Sequence, residues 1–278
     1  MYKYIVPATS ANLGIGFDCL GLALNIYDYF KIEENDKFII NGFINDDIDN
    51  NLFINSYKKT CEIKKEKIIP LKIDLKANVP ISRGLGSSSC HIVGGIYAFN
   101  LLHNNLLSKE EMLSIATSIE GHPDNVAPCI YGGLCISSDN KTLKLKVNSK
   151  WHFGVWIPPY EVKTSDARKA LPESYKREDV VSNIANALKG IRALETFNVD
   201  DIKCLSKDKI HEPYRKKLIK DFKNYEDLAY QKGANAFLIS GSGSTCLSIS
   251  TKDLDIDQSI NFKNVKVDNK GVRCLRNI

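Results

Sequence analysis

The chain has 278 residues, 43% of them hydrophobic and 26% charged, with a formal net charge of +5. Its length supports a large buried core in one or two domains, and its composition is that of an ordinary globular protein. The positive charge is spread without a Lys/Arg block; it mildly favours an anionic ligand, though a solvated surface is the plainer reading, and nucleic-acid binding has no motif support; no apolar stretch reaches a membrane span.

Short alternating or apolar runs open the chain, so Tyr2–Val6, Tyr27–Ile32 and Phe38–Ile40 are expected strands. A helical period follows in "NLFINSYKKTCEIKK", then a strand over Leu71–Ala77. Helices are expected at about Ser87–Leu102 and Ser108–Ile119, the second opened by a capping box of Ser108 and Glu111. "GGLCIS", "LKLKV" and "HFGVWIP" read as three more strands. From Pro158 helices dominate: Asp166–Leu171, Asp179–Leu194, and one long helix over Pro213–Gln231, with proline at its start and Gly233 past its end. "NAFLIS" and "CLSIS" flank the glycine-rich "GSGST", and a short helix with strands "VKV" and "VRCL" closes the chain. With no internal repeat or low-complexity linker, the pattern is α+β, dividing into two fused parts near residues 150–160.

Eight cysteines occur without a C-x-x-C pair or repeated spacing, which argues against a disulfide framework and a zinc site. The N-terminus "MYKYIVPATSAN" lacks the apolar region of a secretion signal. A cytoplasmic, reduced protein is the expectation.

Three segments carry chemistry. In "VPISRGLGSSSC" (79–90), Gly84 and Gly86 would let backbone N–H groups approach a ligand, and the serines begin a helix whose unpaired N–H donors and positive end suit a phosphate. A tight turn with serine capping reads equally well on local grounds. No lysine follows the second glycine, as a Walker A loop requires, and Ser89 stands where a Rossmann loop has its third glycine. In the second segment, "EGHPDNVAPCIYGG" (Glu120–Gly133), six polar or turn-forming residues, Glu120 to Asn125, sit between a helix and a strand. Glu120 could join a loop serine around Mg²⁺, which prefers hard oxygen ligands; a surface loop is the plainer alternative, with His122 an ordinary hydrogen-bonded residue. The third, "SGSGST" (Ser240–Thr245), is equally a glycine-rich hairpin. Together the three favour an ATP site.

Pro80 with "RGLGSSSC", and "SGSGST", resemble the ATP loop and C-terminal glycine-rich motif of the GHMP kinase superfamily. Within it, "PATSANLGIGFDCLGLALN", "EGHPDNVAPCIYGG", "KTSDARKALP" and "EPYRKKLI" are similar to segments of the homoserine kinase family, in family order from residue 7 to about 250. Ile15 and Ser244 stand where that family usually has proline, which bears on loop stiffness. The resemblance implies an α+β fold of two parts, ribosomal protein S5 domain 2-like over 1–155 and ferredoxin-like over 156–278. It also implies ATP with Mg²⁺ as cofactors, L-homoserine as substrate, and a homodimer as an open expectation.

Carried over position by position, the resemblance gives Pro80, Ile81, Ser82, Arg83, Gly84, Leu85, Gly86, Ser87, Ser88, Ser89 and Cys90 to ATP, with Asn55 near the adenine. Asn12, Asp18, His122, Arg168, Arg215 and Gly241 fall to the substrate: Asp18 suits its ammonium, and the two guanidiniums suit its carboxylate. Glu120 and Asn125 are the expected catalytic residues, with Glu120 and Ser88 as Mg²⁺ ligands. Asp124 is the one acidic candidate for a base, and the expectation is that no side chain fills that role. Two alternatives stay open: a related kinase acting on mevalonate-type or sugar alcohols, and a catalytically silent nucleotide-binding regulator.

Overall fold

A computed structural model describes residues 1–44, 47–138 and 141–275. Among these, eleven strands form two sheets. The larger sheet is built on an antiparallel pair, β1 (Tyr2–Ala11) and β2 (Leu20–Glu34), whose register shifts between Pro7 and Ala8. The far half of β2 pairs with β4 (Leu71–Lys76), which is flanked in parallel by β3 (Ile39–Asn41). The near half pairs with β5 (Leu134–Ser138), followed by β6 (Lys141–Leu145). The smaller sheet is antiparallel in the order β10 (Phe262–Val265), β7 (His152–Trp156), β9 (Cys246–Ser250), β8 (Ala234–Ile239). β11 (Arg273–Cys274) returns to β1, and the expected division at 155/156 falls inside β7.

Helices α1 (Leu52–Lys64), α2 (Ser87–Leu102), α3 (Lys109–Glu120) and α4 (Pro123–Tyr131) serve the larger sheet. The core runs through both sheets, joining Leu22 and Phe30 of β2 to Phe153 of β7 and Leu247 of β9. Each such fully buried side chain stabilises the fold by about 1.5–3 kcal/mol. A smaller cluster around Trp156 and Phe237 packs under α8 (Phe222–Gln231). Among the described residues, no helix is long and apolar enough to cross a membrane.

Helices α2 and α3 match their expected bounds, the latter with both capping-box hydrogen bonds made. Three expectations are corrected. The segment after Glu120 is not a loop up to the next strand: Pro123 at the first helical position and Asp124 in the first turn start α4. The helix expected over 213–231 is broken into α7 (Glu212–Arg215), a 3₁₀ turn (Lys216–Leu218) and α8. Ile219 takes an extended conformation there, and Ile219 and Phe222 both enter the smaller core, so burial outweighs helix continuity. No helix forms between β9 and β10, where the Asn264 side chain instead binds both backbone groups of Leu254. Helices α5 (Thr164–Lys169) and α6 (Arg177–Thr196) and a 3₁₀ turn (Ile202–Ser206) complete the chain.

Candidate active site

The start of α2 opens onto a cavity of about 360 Å³. Gly86 occupies the N-cap position in the left-handed conformation and supplies no side-chain cap. The first hydrogen bond of the helix runs from Cys90 N–H to Gly86 C=O, leaving the N–H groups of Ser87, Ser88 and Ser89 without helical partners beside the positive helix end. Such a helix start is suited to an anion.

The two glycines are required for a reason other than ligand approach. Both have positive φ, and a Cβ on Gly84 would sit 2.2 Å from the Ser240 carbonyl oxygen, while one on Gly86 would sit 2.1 Å from Thr9 Oγ1. The loop is pressed against β1 on one side and the "SGSGST" turn on the other. Thr9 N–H donates to Leu85 C=O, Thr245 N–H donates to Arg83 C=O, and the Ser240 hydroxyl reaches Gly84 C=O at 2.6 Å. The third glycine-rich segment therefore braces the first, besides lining the cavity through Gly241 and Ser242.

Glu120, the last residue of α3, lies across from the serines. Its carboxylate accepts hydrogen bonds from Ser88 Oγ at 2.9 Å and Ser89 Oγ at 3.2 Å. Burial raises its pKa, opposed by these hydroxyls. Beyond it, Asn125 Oδ1 accepts from Thr9 Oγ1 at 2.7 Å, and the His122 imidazole pairs with the buried Asp124 carboxylate. The Asp124 bond raises the pKa of His122.

The other end of the cavity carries the charges. Arg168 of α5 makes a two-pronged ion pair with Asp18, and Arg215 of α7 is buried, with Nε donating to Ala167 C=O and Nη1 to Gly241 C=O. Asn12 Nδ2 also donates to Gly241 C=O, while Asn12 Oδ1 accepts from the Asp18 N–H. Asn12, Leu13 and Asp18 all have positive φ, so this segment is held in a conformation that side-chain-bearing residues seldom adopt.

The cavity thus gathers Asn12, Asp18, Ile81, Ser82, Arg83, Gly84, Gly86, Ser87, Ser88, Glu120, His122, Asn125, Arg168, Arg215 and Gly241. Other expected residues lie outside it. Leu85 and Cys90 are core residues, Ser89 is buried behind Glu120, and Pro80 does not line the cavity. Asn55, expected near adenine, points elsewhere: its amide donates to Asp49 C=O, and the neighbouring Asn51 and Leu52 line the cavity instead. His91 was missed. It lies one turn beyond Ser87 on α2, a spacing that could have placed it on the cavity face, and its Nε2 is 3.9 Å from buried Asp28. Burial lowers His91 to about 4 and raises Asp28 to about 6.

The α+β fold is that of the GHMP kinases, and the family described as GHMP kinases N terminal domain matches residues 51–133. The homoserine kinase of Clostridium acetobutylicum is 41% identical over 258 residues, covering 90% of this chain and 87% of the relative. That of Caldicellulosiruptor bescii is 38% identical over 273 residues, 95% and 89% of the two chains. The crystal structure of homoserine kinase from Cytophaga hutchinsonii superposes with a TM-score of 0.87 at 29% identity, covering 99% of this chain and 97% of that one. The chain belongs to the homoserine kinase family.

Proposed function

We propose that this enzyme transfers the γ-phosphoryl group of ATP to the side-chain hydroxyl of L-homoserine, giving ADP and O-phospho-L-homoserine. The observation that carries the reading is one cavity with a helix start suited to an anion at one end and the Asp18, Arg168 and Arg215 charges at the other. A zwitterionic amino acid can engage both the Asp18 carboxylate and the two arginines, whereas mevalonate offers only an anion and a sugar no charge.

Phosphoryl transfer has a loose transition state, so catalysis rests on positioning and charge neutralisation. The N–H groups at the start of α2 would hold the phosphates, and Asp18 with the two arginines would hold the amino acid. The donor set fits magnesium: a carboxylate and a serine hydroxyl, both hard oxygens, already converge at Glu120 and Ser88. These two residues would hold Mg²⁺, which when bound neutralises charge on the phosphate oxygens. Asn125, kept in place by Thr9, would orient the acceptor hydroxyl. No side chain is assigned as base: Asp124 is already engaged by His122 and Asn125, and an amide does not take a proton. The hydroxyl proton passes to phosphate or solvent. A cytoplasmic setting belongs to the same reading, supported by eight unbridged cysteines.

The test is ADP release with Mg²⁺ and ATP across L-homoserine, serine, threonine, mevalonate and galactose. Homoserine is expected to exceed the others in kcat/KM, and equal or better turnover of mevalonate or galactose overturns the assignment.

A further inference from the structure

We propose that Phe17 is a positioning residue for the carboxylate pocket: its ring gathers the Arg168 and Arg215 guanidiniums, and His211 holds the ring in place. The proposal rests on the homoserine reading above for the ligand that the arginines take.

The guanidinium carbon of Arg215 lies 5.0 Å from the Phe17 ring centroid, and that of Arg168 lies 5.8 Å from it. Two like charges brought together repel, and an aromatic face attracts both through its quadrupole. Asp18 compensates Arg168, but among the described residues Arg215 has no carboxylate within ion-pair distance and bonds only to carbonyl oxygens. The Phe17 ring is thus the shared contact of the two cations. It sits one residue before Asp18 in the strained turn, so a single backbone conformation sets both the ring and the carboxylate.

His211 fixes this arrangement from behind. Its imidazole stacks on Phe17 with centroids 5.3 Å apart, and its Nε2 lies 2.6 Å from Gly14 C=O. The ring is fully buried, and burial lowers its pKa to about 4, so at neutral pH the imidazole is uncharged. Its single proton then resides on Nε2 and is donated to Gly14, while Nδ1 has no partner. The His211 carbonyl also accepts the Arg215 N–H at 3.0 Å. One residue therefore supports the turn, the ring and the helical turn that carries an arginine.

The experiment compares Phe17→Leu, Phe17→Tyr, His211→Leu and His211→Gln with wild type, and adds a series with one, two and three fluorines on the Phe17 ring. KM for homoserine, KM for ATP, kcat and Tm are read for each. Phe17→Leu is expected to raise KM for homoserine about tenfold with KM for ATP within twofold, the scale of one or two such contacts. Phe17→Tyr, which keeps the face, should stay within threefold of wild type. KM should climb stepwise with fluorine number while Tm holds, because fluorine weakens the quadrupole at nearly constant shape. His211→Leu should share the leucine defect, and His211→Gln should recover part of it through a donor to Gly14. A homoserine KM unchanged in Phe17→Leu, or a flat fluorine series with all losses confined to Tm, overturns the proposal. Wild-type enzyme that prefers another alcohol sinks the homoserine reading instead. The same variants are then measured with that alcohol, and absence of the fluorine trend overturns the stack as well.

Discussion

Arg168 donates from both terminal nitrogens to the two carboxylate oxygens of Asp18, at 3.0 and 2.9 Å, although the residues are 150 apart in sequence. The pair is about one-third exposed at the cavity wall, so an incoming ligand can reach both members. An amino acid can exchange this internal pair for two of its own, carboxylate to Arg168 and ammonium to Asp18, leaving no charge uncompensated. A ligand with one charge breaks the pair and repairs half of it. Accordingly, 4-hydroxybutyrate and 3-aminopropan-1-ol should each lose about 30-fold or more in kcat/KM relative to L-homoserine, on the order of 2 kcal/mol. Either analogue reacting as well as homoserine would remove the zwitterion argument.

Replacing the arginines should separate them. Arg168→Ala and Arg215→Ala are both expected to discriminate less between L-homoserine and its methyl ester, with KM for ATP nearly unchanged. Arg215 is also buried and ties Ala167 to Gly241, so its loss should lower Tm by several degrees, whereas loss of the more exposed Arg168 should not. Wild-type preference for the free acid in both variants would mean that neither holds the carboxylate.

Glu120→Gln should depress kcat strongly and leave homoserine affinity within about twofold by calorimetry. The amide keeps the size, and its oxygen can still accept from one serine while its NH2 donates to the other hydroxyl, but it is a poor Mg²⁺ ligand. Unchanged turnover at limiting Mg²⁺ would remove Glu120 from the metal site.

A pH dependence of stability follows from the helical turn beneath the site. Glu212 is buried, and desolvation pushes its carboxyl up to about 7 from the ordinary 4.5, against the pull of Lys216 and the Ile239 N–H. Between those values the native chain keeps a proton that the unfolded chain has released. Its contribution is thus full below about pH 4.5 and lost as pH rises through 7, a difference of about 3 kcal/mol. His211, lowered to about 4, acts in the opposite sense, adding stability as pH rises from 4 to 6.5. The informative quantity is therefore the difference between wild type and Glu212→Gln in denaturant unfolding. The variant should gain on wild type from pH 5 to 8, and a constant difference would show that Glu212 does not titrate with folding.

Local chemistry made much of this molecule legible in the sequence. The Gly86–Ser87 boundary and the Ser108–Glu111 box start their helices where expected, because capping is decided within a few residues. α4 was hidden because Pro123-Asp124-Asn125 reads as loop as readily as first turn. The break at Ile219 was hidden because only the smaller core tells an amphipathic run to stop. The same division holds at the site. The motifs suggest Glu120 beside a serine of the loop, but the Asp18–Arg168 pair and the Thr9–Asn125 bond join distant segments and have no local signature. Gly84 and Gly86 stand out in the sequence, but the neighbours that exclude a side chain there, Ser240 and Thr9, are brought in by the fold alone.

Those neighbours have a kinetic consequence. With Gly84 seated against Ser240 and Gly86 against Thr9, the start of α2 is braced by contacts made wholly within the protein, from three segments of the chain. A finished receptor leaves no folding of the loop for the ligand to wait upon. Stopped-flow binding of a fluorescent ATP analogue should show a single exponential whose rate grows linearly with concentration, set by encounter rather than rearrangement. A saturating rate would reveal a loop that opens and closes in spite of its braces.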